Sequence, residues 1–191
     1  RTAYITQDDM LNRELTPREI LTFEAELRLD PRRFSKEQRA ERVESVLKAL
    51  SIDHIADSRV GDAEKRGISG GERKRVTIGQ ALVTDPSVLY CDEPTSGVDS
   101  YTSEQILKLL SELAKSGKTV FCTIHQPSST VYALFDKVLI LAGGKTMYIG
   151  PRQEAVPYFA GKGFPLPKET NPADFFLETL APFAQAEFTS G

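Results

Sequence analysis

The chain contains no tryptophan, and only two cysteines, two histidines and two methionines among its 191 residues. Cys91 and Cys122 are too few for a disulfide framework, and each lies in an apolar run, so they read as reduced, buried thiols of a cytosolic protein. Positive charge is also short: 24 Lys+Arg stand against 27 Asp+Glu, a net charge of −3, which argues against a dedicated nucleic-acid binder with its basic stripe. Long hydrophobic runs are missing. The longest aliphatic stretch is Val138-Leu139-Ile140-Leu141-Ala142, whereas a membrane-spanning helix needs about 20 apolar residues. Arg1-Thr2-Ala3-Tyr4 lacks the basic-then-apolar pattern of a signal segment. Internal repeats and low-complexity tracts are absent as well. What remains is an ordinary globular composition, 40% hydrophobic and 27% charged. A chain of this size buries about 70% of its unfolded surface, enough for one sizeable core or a core plus a small lobe.

The first third reads as helical. Thr16-Pro17-Arg18-Glu19 is a capping box with proline at the first helical position, opening a helix that runs to about Leu29 and stops at Asp30-Pro31. Ser35-Lys36-Glu37-Gln38 is a second capping box, followed by Val43, Val46, Leu47 and Leu50 at helical spacing. The middle changes character. Residues 87–91 form a short apolar run between Asp85-Pro86 and Asp92-Glu93-Pro94 and read as a buried strand. A helix over residues 100–115, a strand over 119–124, a short helix over 129–135 and an apolar run at 138–141 follow. Apolar strands alternating with helices predict a parallel sheet covered by helices. Gly143-Gly144-Lys145 then turns into an antiparallel hairpin, and the tail carries two short helices near 153–160 and 172–180. The boundary between helical lobe and α/β lobe is expected near residues 78–85.

Five places can carry chemistry. The strongest is Val88-Leu89-Tyr90-Cys91-Asp92-Glu93, a strand ending in two carboxylates, where open α/β sheets place their ligands. Alternation along a strand gives the two acids different directions, so Asp92 is assigned to a Mg²⁺ shell and Glu93 to the attacking water of a phosphoryl transfer. Pro94 is expected to hold Glu93 extended. A pair of solvated surface acids is the alternative. The second place is Ile68-Ser69-Gly70-Gly71-Glu72-Arg73-Lys74-Arg75, a glycine turn opening a helix, suited to phosphate through its free N–H groups. Its three basic residues oppose the helix dipole and would raise the local potential; a plain glycine-containing cap is the other reading. His125 just beyond a strand could donate to a phosphate or position a water. Gln7, after the apolar stub Tyr4-Ile5, could touch a metal or water. Asp99 fits the N-cap of the helix that follows. The last three also have purely structural readings.

The order of these elements decides between the readings. A glutamine after a strand, a helical lobe, Ser-Gly-Gly, a strand ending Asp-Glu, Ser-Gly-Val-Asp and a strand ending in His resemble the ATP-binding cassette (ABC) ATPase domain. Gln7 matches the Q-loop, residues 68–72 the signature motif, 88–93 the Walker B strand, 96–99 the D-loop and His125 the switch histidine. Five further segments resemble the G subfamily of ABC transporters, the sterol, lipid and multidrug exporters: Leu15-Thr16-Pro17-Arg18-Glu19, Gly70-Gly71-Glu72-Arg73-Lys74-Arg75, Asp92-Glu93-Pro94-Thr95-Ser96-Gly97, His125-Gln126-Pro127-Ser128 and Asn171-Pro172-Ala173-Asp174-Phe175-Phe176. Ile68 and Glu72 replace the family's usual Leu and Gln, a subfamily mark, and Val98 replaces the D-loop Leu.

The resemblance implies an α/β, partial P-loop NTPase fold: a parallel sheet core with an α-helical subdomain. The expected parts are a Q-loop strand and loop (1–13), a helical lobe with the signature (14–82) and an α/β core part with C-terminal helices (83–191). It implies ATP and Mg²⁺ as cofactors, Glu93 as general base, Asp92 and Gln7 serving the metal and its waters, and His125 holding the γ-phosphate. Ser69, Gly70, Gly71 and Glu72 with Asp99 make up the nucleotide-contacting set, facing ATP bound to a second nucleotide-binding domain, and Asp99 bridges that dimer contact. A transmembrane domain of the same transporter is the other implied partner, which places the chain at the cytoplasmic face of a membrane. No Gly-x-x-x-x-Gly-Lys-Ser/Thr P-loop occurs in these residues, so the chain is expected to represent the C-terminal part of a nucleotide-binding domain and to have little ATPase activity alone. Two competing readings are a non-catalytic pairing module and the cassette of a soluble ABC protein.

Overall fold

The computed structural model describes residues 1–61 and 67–186, which fall into two units, Arg1–Ile124 and His125–Gly191. In the first unit both expected capping boxes form. Thr16 and Glu19 cap helix α1 (Pro17–Arg28), and Ser35 and Gln38 cap helix α2 (Lys36–Ala49). Each box satisfies two backbone N–H groups that the first turn would otherwise leave unpaired. The inward stripes interlock: Ile20, Leu21 and Ala25 of α1, Val43, Val46 and Leu47 of α2, and Val76, Ile78 and Ala81 of helix α3 (Gly70–Leu82) are all buried. The link after α2 holds a 3-10 turn at Asp53–Ile55.

Strands β1 (Thr2–Ile5), β2 (Val88–Asp92) and β3 (Thr119–Thr123) form a parallel sheet in that order, with helix α4 (Ser100–Lys115) crossing between β2 and β3. The register sets Tyr4 beside Tyr90 and Tyr90 beside Phe121. The period of two then sorts the faces. Ala3, Ile5, Leu89 and Cys91 are buried on the face toward α3 and α4, whereas Tyr4, Tyr90 and Phe121 are 60%, 44% and 54% exposed on the other. The Tyr90 and Phe121 rings stack with centroids 5.3 Å apart. The expected cover of helices therefore lies on one face, and Tyr90, within the run read as a buried strand, is exposed on the other.

The second unit contains helix α5 (Ser129–Tyr132), strands β4 (Lys137–Ala142) and β5 (Lys145–Pro151), helix α6 (Arg152–Gly161) and helix α7 (Pro172–Ala186). The expected antiparallel hairpin forms: β4 pairs with β5, in a sheet separate from that of β1, β2 and β3. The cause is the two-residue turn, whose Gly143 and Gly144 both take positive φ (53° and 71°), the geometry that feeds a tight hairpin. The α5 helix is one turn, shorter than expected. Phe159, Phe175, Phe176, Tyr132 and Tyr148 form this unit's aromatic core. Asn171 Nδ2 donates to the Pro127 carbonyl at 2.8 Å and ties the loop before α7 to the start of the unit. Among the described residues, no helix is long and apolar enough to cross a membrane.

Candidate functional site

Two clusters emerge in the first unit. One sits at the carboxyl ends of the parallel strands. Asp92 closes β2, and its oxygens accept from hydroxyls on both neighbouring strands: Tyr4 Oη of β1 at 2.8 Å and Thr123 Oγ1 of β3 at 2.7 Å. These bonds favour the carboxylate, Thr123 most and Tyr4 next, and hold Asp92 below the usual aspartate range; the same contact pushes the Tyr4 phenol up. Asp92 is therefore an anion at neutral pH.

Glu93 lies just past the strand. Its backbone has φ +41°, not the extended conformation that Pro94 was expected to impose. Proline disfavours only the right-handed helical region for the residue before it, and the left-handed turn lets the Glu93 N–H donate to Thr123 Oγ1 at 2.9 Å. The alternation argument for separating the two acids thus stops at Asp92, yet their partners do differ. Glu93 Oε2 accepts from Gln7 Nε2 at 2.9 Å, and the same amide nitrogen reaches Ser96 Oγ at 3.2 Å. Gln7, Asp92, Glu93 and Ser96 are thereby brought into one network, closed by Thr123 and Tyr4.

The second cluster is built at two helix starts. Ser69 caps α3, its Oγ accepting from Glu72 N at 3.3 Å while Glu72 Oε2 accepts from Ser69 N at 2.7 Å. Burial pushes the Glu72 carboxyl up, but the Ser69 N–H and hydroxyl and the neighbouring His54 outweigh it and hold it low. Asp99 caps α4 as expected, accepting from Thr102 N at 3.0 Å and Thr102 Oγ1 at 2.6 Å. The two helix starts meet at Gly71: a Cβ there would stand 2.4 Å from Thr102 Cγ2, so only glycine permits the approach. Gly70 faces Val98 of the D-loop segment.

The basic residues of the signature do not act as an exposed positive patch. Arg73 donates to the Ile68 carbonyl at 3.1 Å and Arg75 to the Leu50 carbonyl at 3.0 Å. Lys74 is 3% exposed, donates to the Gln7 carbonyl and lies 3.2 Å from Asp9 Oδ1. Lys74 and Arg75 make long-range bonds and Arg73 ties back to the residue before the cap, which offsets their place at the unfavourable end of the helix dipole. His125 opens the second unit as an exposed residue two positions past Thr123. Cys91 is buried, Cys122 is partly so, and both are free thiols at paired positions of β2 and β3.

Sequence reasoning missed Tyr4, Asp9, Thr77 and Thr123, and gave Lys74 a surface role in place of its buried one. For Lys74 a signal existed: it lies four residues before Ile78, on the side of α3 that carries the core. For Tyr4 and Thr123 none did, because their contact with Asp92 depends on strand register.

A parallel-sheet α/β unit with a glutamine, an acid pair and a serine-capped glycine helix defines a class of protein, and comparison with known proteins agrees. Residues 1–96 match the ABC transporter family model, and residues 125–191 match the model for ABC-2 type transporters. The chain belongs to the ABC transporter family. Within it, the chain is a member of the G subfamily. It is 47% identical over 94% of its length to the broad substrate specificity ATP-binding cassette transporter ABCG2 of Rattus norvegicus, covering 27% of that protein. It is 47% identical over 92% of its length to ATP-binding cassette sub-family G member 8 of Homo sapiens, covering 26%. To the protein white of Drosophila melanogaster it is 44% identical over 95% of its length, covering 26%. The chain thus spans about a quarter of the length of the curated relatives it matches.

Proposed function

We propose that this chain carries the Q-loop, signature, Walker B and D-loop parts of an ABC ATPase fold, divided functionally at residues 1–13, 14–82 and 83–191. The last five residues of that final part, like 62–66 of the second, lie outside the described residues. The protein containing it hydrolyses ATP at the cytoplasmic face of a membrane and couples hydrolysis to export of lipids, sterols or xenobiotics. The observation that carries this reading is the Gln7 Nε2 to Glu93 Oε2 bond of 2.9 Å beside an ionised Asp92. Gln7 engages one oxygen of Glu93 and leaves Oε1 to take the proton of an attacking water, the task of a general base.

Mg²⁺ fits this donor set. Asp92 offers a carboxylate, the Gln7 amide offers an oxygen, and no group of three or more His, Cys, Asp or Glu residues gathers as a metal cage among the described residues. Magnesium is typically held by one or two carboxylates together with phosphates and waters. When bound, the ion neutralises charge developing on the phosphate oxygens. Ser69, Gly70 and Gly71, with Glu72 fixing the cap, present the α3 start to the γ-phosphate of ATP on a second nucleotide-binding domain, and Asp99 joins that contact. His125 donates to the γ-phosphate. The transmembrane domain of the same transporter is the other partner. The motif that cradles the β- and γ-phosphates is not among these residues, so the 191-residue chain alone has little or no ATPase activity.

The test is phosphate release from Mg·ATP by the purified intact transporter. Turnover in the wild type that Glu93→Gln abolishes is expected; a wild type that releases no phosphate, or a Glu93→Gln variant that matches it, overturns the reading.

A further inference from the structure

Gln7 is held from two sides, and only one of them belongs to the acid pair. Its side-chain nitrogen reaches Glu93 and Ser96, whereas its backbone carbonyl accepts from Lys74 Nζ in the middle of α3. Lys74 is 3% exposed, one of two polar side chains buried among the described residues; the other is Thr77. A buried ammonium is tolerated only where partners replace its water. Here those partners are the Gln7 carbonyl and Asp9 Oδ1, the latter at 3.2 Å. Thr77 Oγ1, nearly one helical turn further on, donates to the same Asp9 oxygen at 2.9 Å. Two buried side chains of one helix face therefore clamp residues 7 and 9, a stretch without regular structure between β1 and α1.

From this we infer that Lys74 is a positioning residue for the strand-end site: it holds the Q-loop backbone so that the Gln7 amide stays on Glu93. The inference rests on the ATPase reading above. Without the clamp an exposed glutamine on an irregular segment has many rotamers and backbone states to lose before it can meet Glu93. With the clamp, most of that ordering is completed by the fold. The arrangement also joins the two clusters. The helix that begins at Ser69 carries Lys74 five residues later, so a displacement of the α3 start, as on engaging a partner's nucleotide, moves the donor that fixes Gln7. A methionine would fill the same volume but has no proton to give to the carbonyl.

The test is steady-state ATPase kinetics of the intact transporter with Lys74→Met, Gln7→Ala and the double variant. Misplacing a group that orients the reaction lowers kcat more than it lowers nucleotide affinity, so Lys74→Met is expected to reduce kcat about tenfold with KM for ATP within about twofold. In the Gln7→Ala background, where no amide is left to position, Lys74→Met should change kcat by less than about twofold. A lysine that merely stabilises the fold would impose the same loss in both backgrounds, and that result, or a wild-type kcat in Lys74→Met, overturns the inference. If Lys74→Met does not fold, Asp9→Asn gives the same reading: a fall of about threefold that vanishes in Gln7→Ala supports the clamp, and an unchanged kcat refutes it. A wild-type transporter with no Glu93-dependent turnover fails the ATPase reading before any Lys74 variant is measured, and the inference falls with it.

Discussion

The strand-end cluster and the helix-start cluster are wired in opposite ways. At the strand ends the bonds join residues far apart in the chain: Gln7 to Glu93 across 86 residues, Tyr4 to Asp92 across 88, Thr123 to Asp92 across 31. At the helix starts they join residues three apart, Ser69 with Glu72 and Asp99 with Thr102. The first arrangement exists only when β1, β2 and β3 are in register. The second is assembled by a few residues of chain whenever the helix forms. The acid pair is therefore sensitive to anything that shifts a strand, whereas the glycine-rich helix start is a stiff part whose sensitivity lies in its contact with α4.

Thr123→Val breaks the strand-end wiring most directly. It keeps the β-branched shape but removes the donor to Asp92 and the acceptor of the Glu93 N–H at once. If Asp92 and Glu93 act as proposed, loss of two bonds that aim them lowers kcat of the intact transporter about 100-fold. Steady-state phosphate release checks it, and a variant within twofold of wild type would mean that register alone aims the acids.

How much of this was legible in the sequence follows from the same contrast. Thr16, Ser35, Ser69 and Asp99 were readable as caps because capping is a matter of residues three apart, and all four cap their helices. Asp92 and Glu93 were readable as a strand-end pair. Tyr4 and Thr123 were not, since nothing in a linear pattern says which strand lies beside β2 or at what level. Lys74 was misassigned to an anion-attracting surface because its charge was weighed and its place on the core side of α3 was not. The hairpin of β4 and β5 was legible for the same local reason as the caps: Gly143-Gly144 marks the turn that makes the two strands partners.

The helix-start cluster is best sharpened at Gly71. Gly71→Ala places a methyl 2.4 Å from Thr102 Cγ2, and Thr102 cannot rotate away without losing its 2.6 Å bond to Asp99. The expected cost is about 1–3 kcal/mol in urea unfolding followed by far-ultraviolet circular dichroism. Thr102→Ser, which deletes the clashing methyl and keeps the hydroxyl, should recover more than half of it. Failure of that rescue would show that α3 and α4 do not meet there.

A smaller effect separates capping from phosphate contact at Ser69. Ser69→Ala removes the acceptor for Glu72 N and should cost about 1 kcal/mol, whereas Ser69→Asp keeps a side-chain oxygen at the positive end of the helix and should cost little. If the serine also meets a partner's γ-phosphate, both variants lose ATPase activity in the intact transporter. Activity that follows stability across the pair would reduce Ser69 to a cap.

The smallest expected effect is the acid response of Asp99. Hydrogen bonds from Thr102, side chain first and backbone next, hold its carboxyl below the usual range. A carboxyl whose folded-state value lies under its unfolded one binds fewer protons when folded, so its stabilisation is complete above the unfolded value of about 3.9 and is lost as pH falls through the lower folded value. Asp99→Asn keeps a capping oxygen but cannot titrate. Wild type should therefore exceed Asp99→Asn in stability by a constant margin from neutral pH down to about pH 5, and the margin should close below about pH 4. Urea midpoints of both proteins across that range measure it. A margin that widens toward acid would mean that the Asp99 carboxyl is strained when charged, and that the start of α4 is held by its packing on Gly71 more than by its cap.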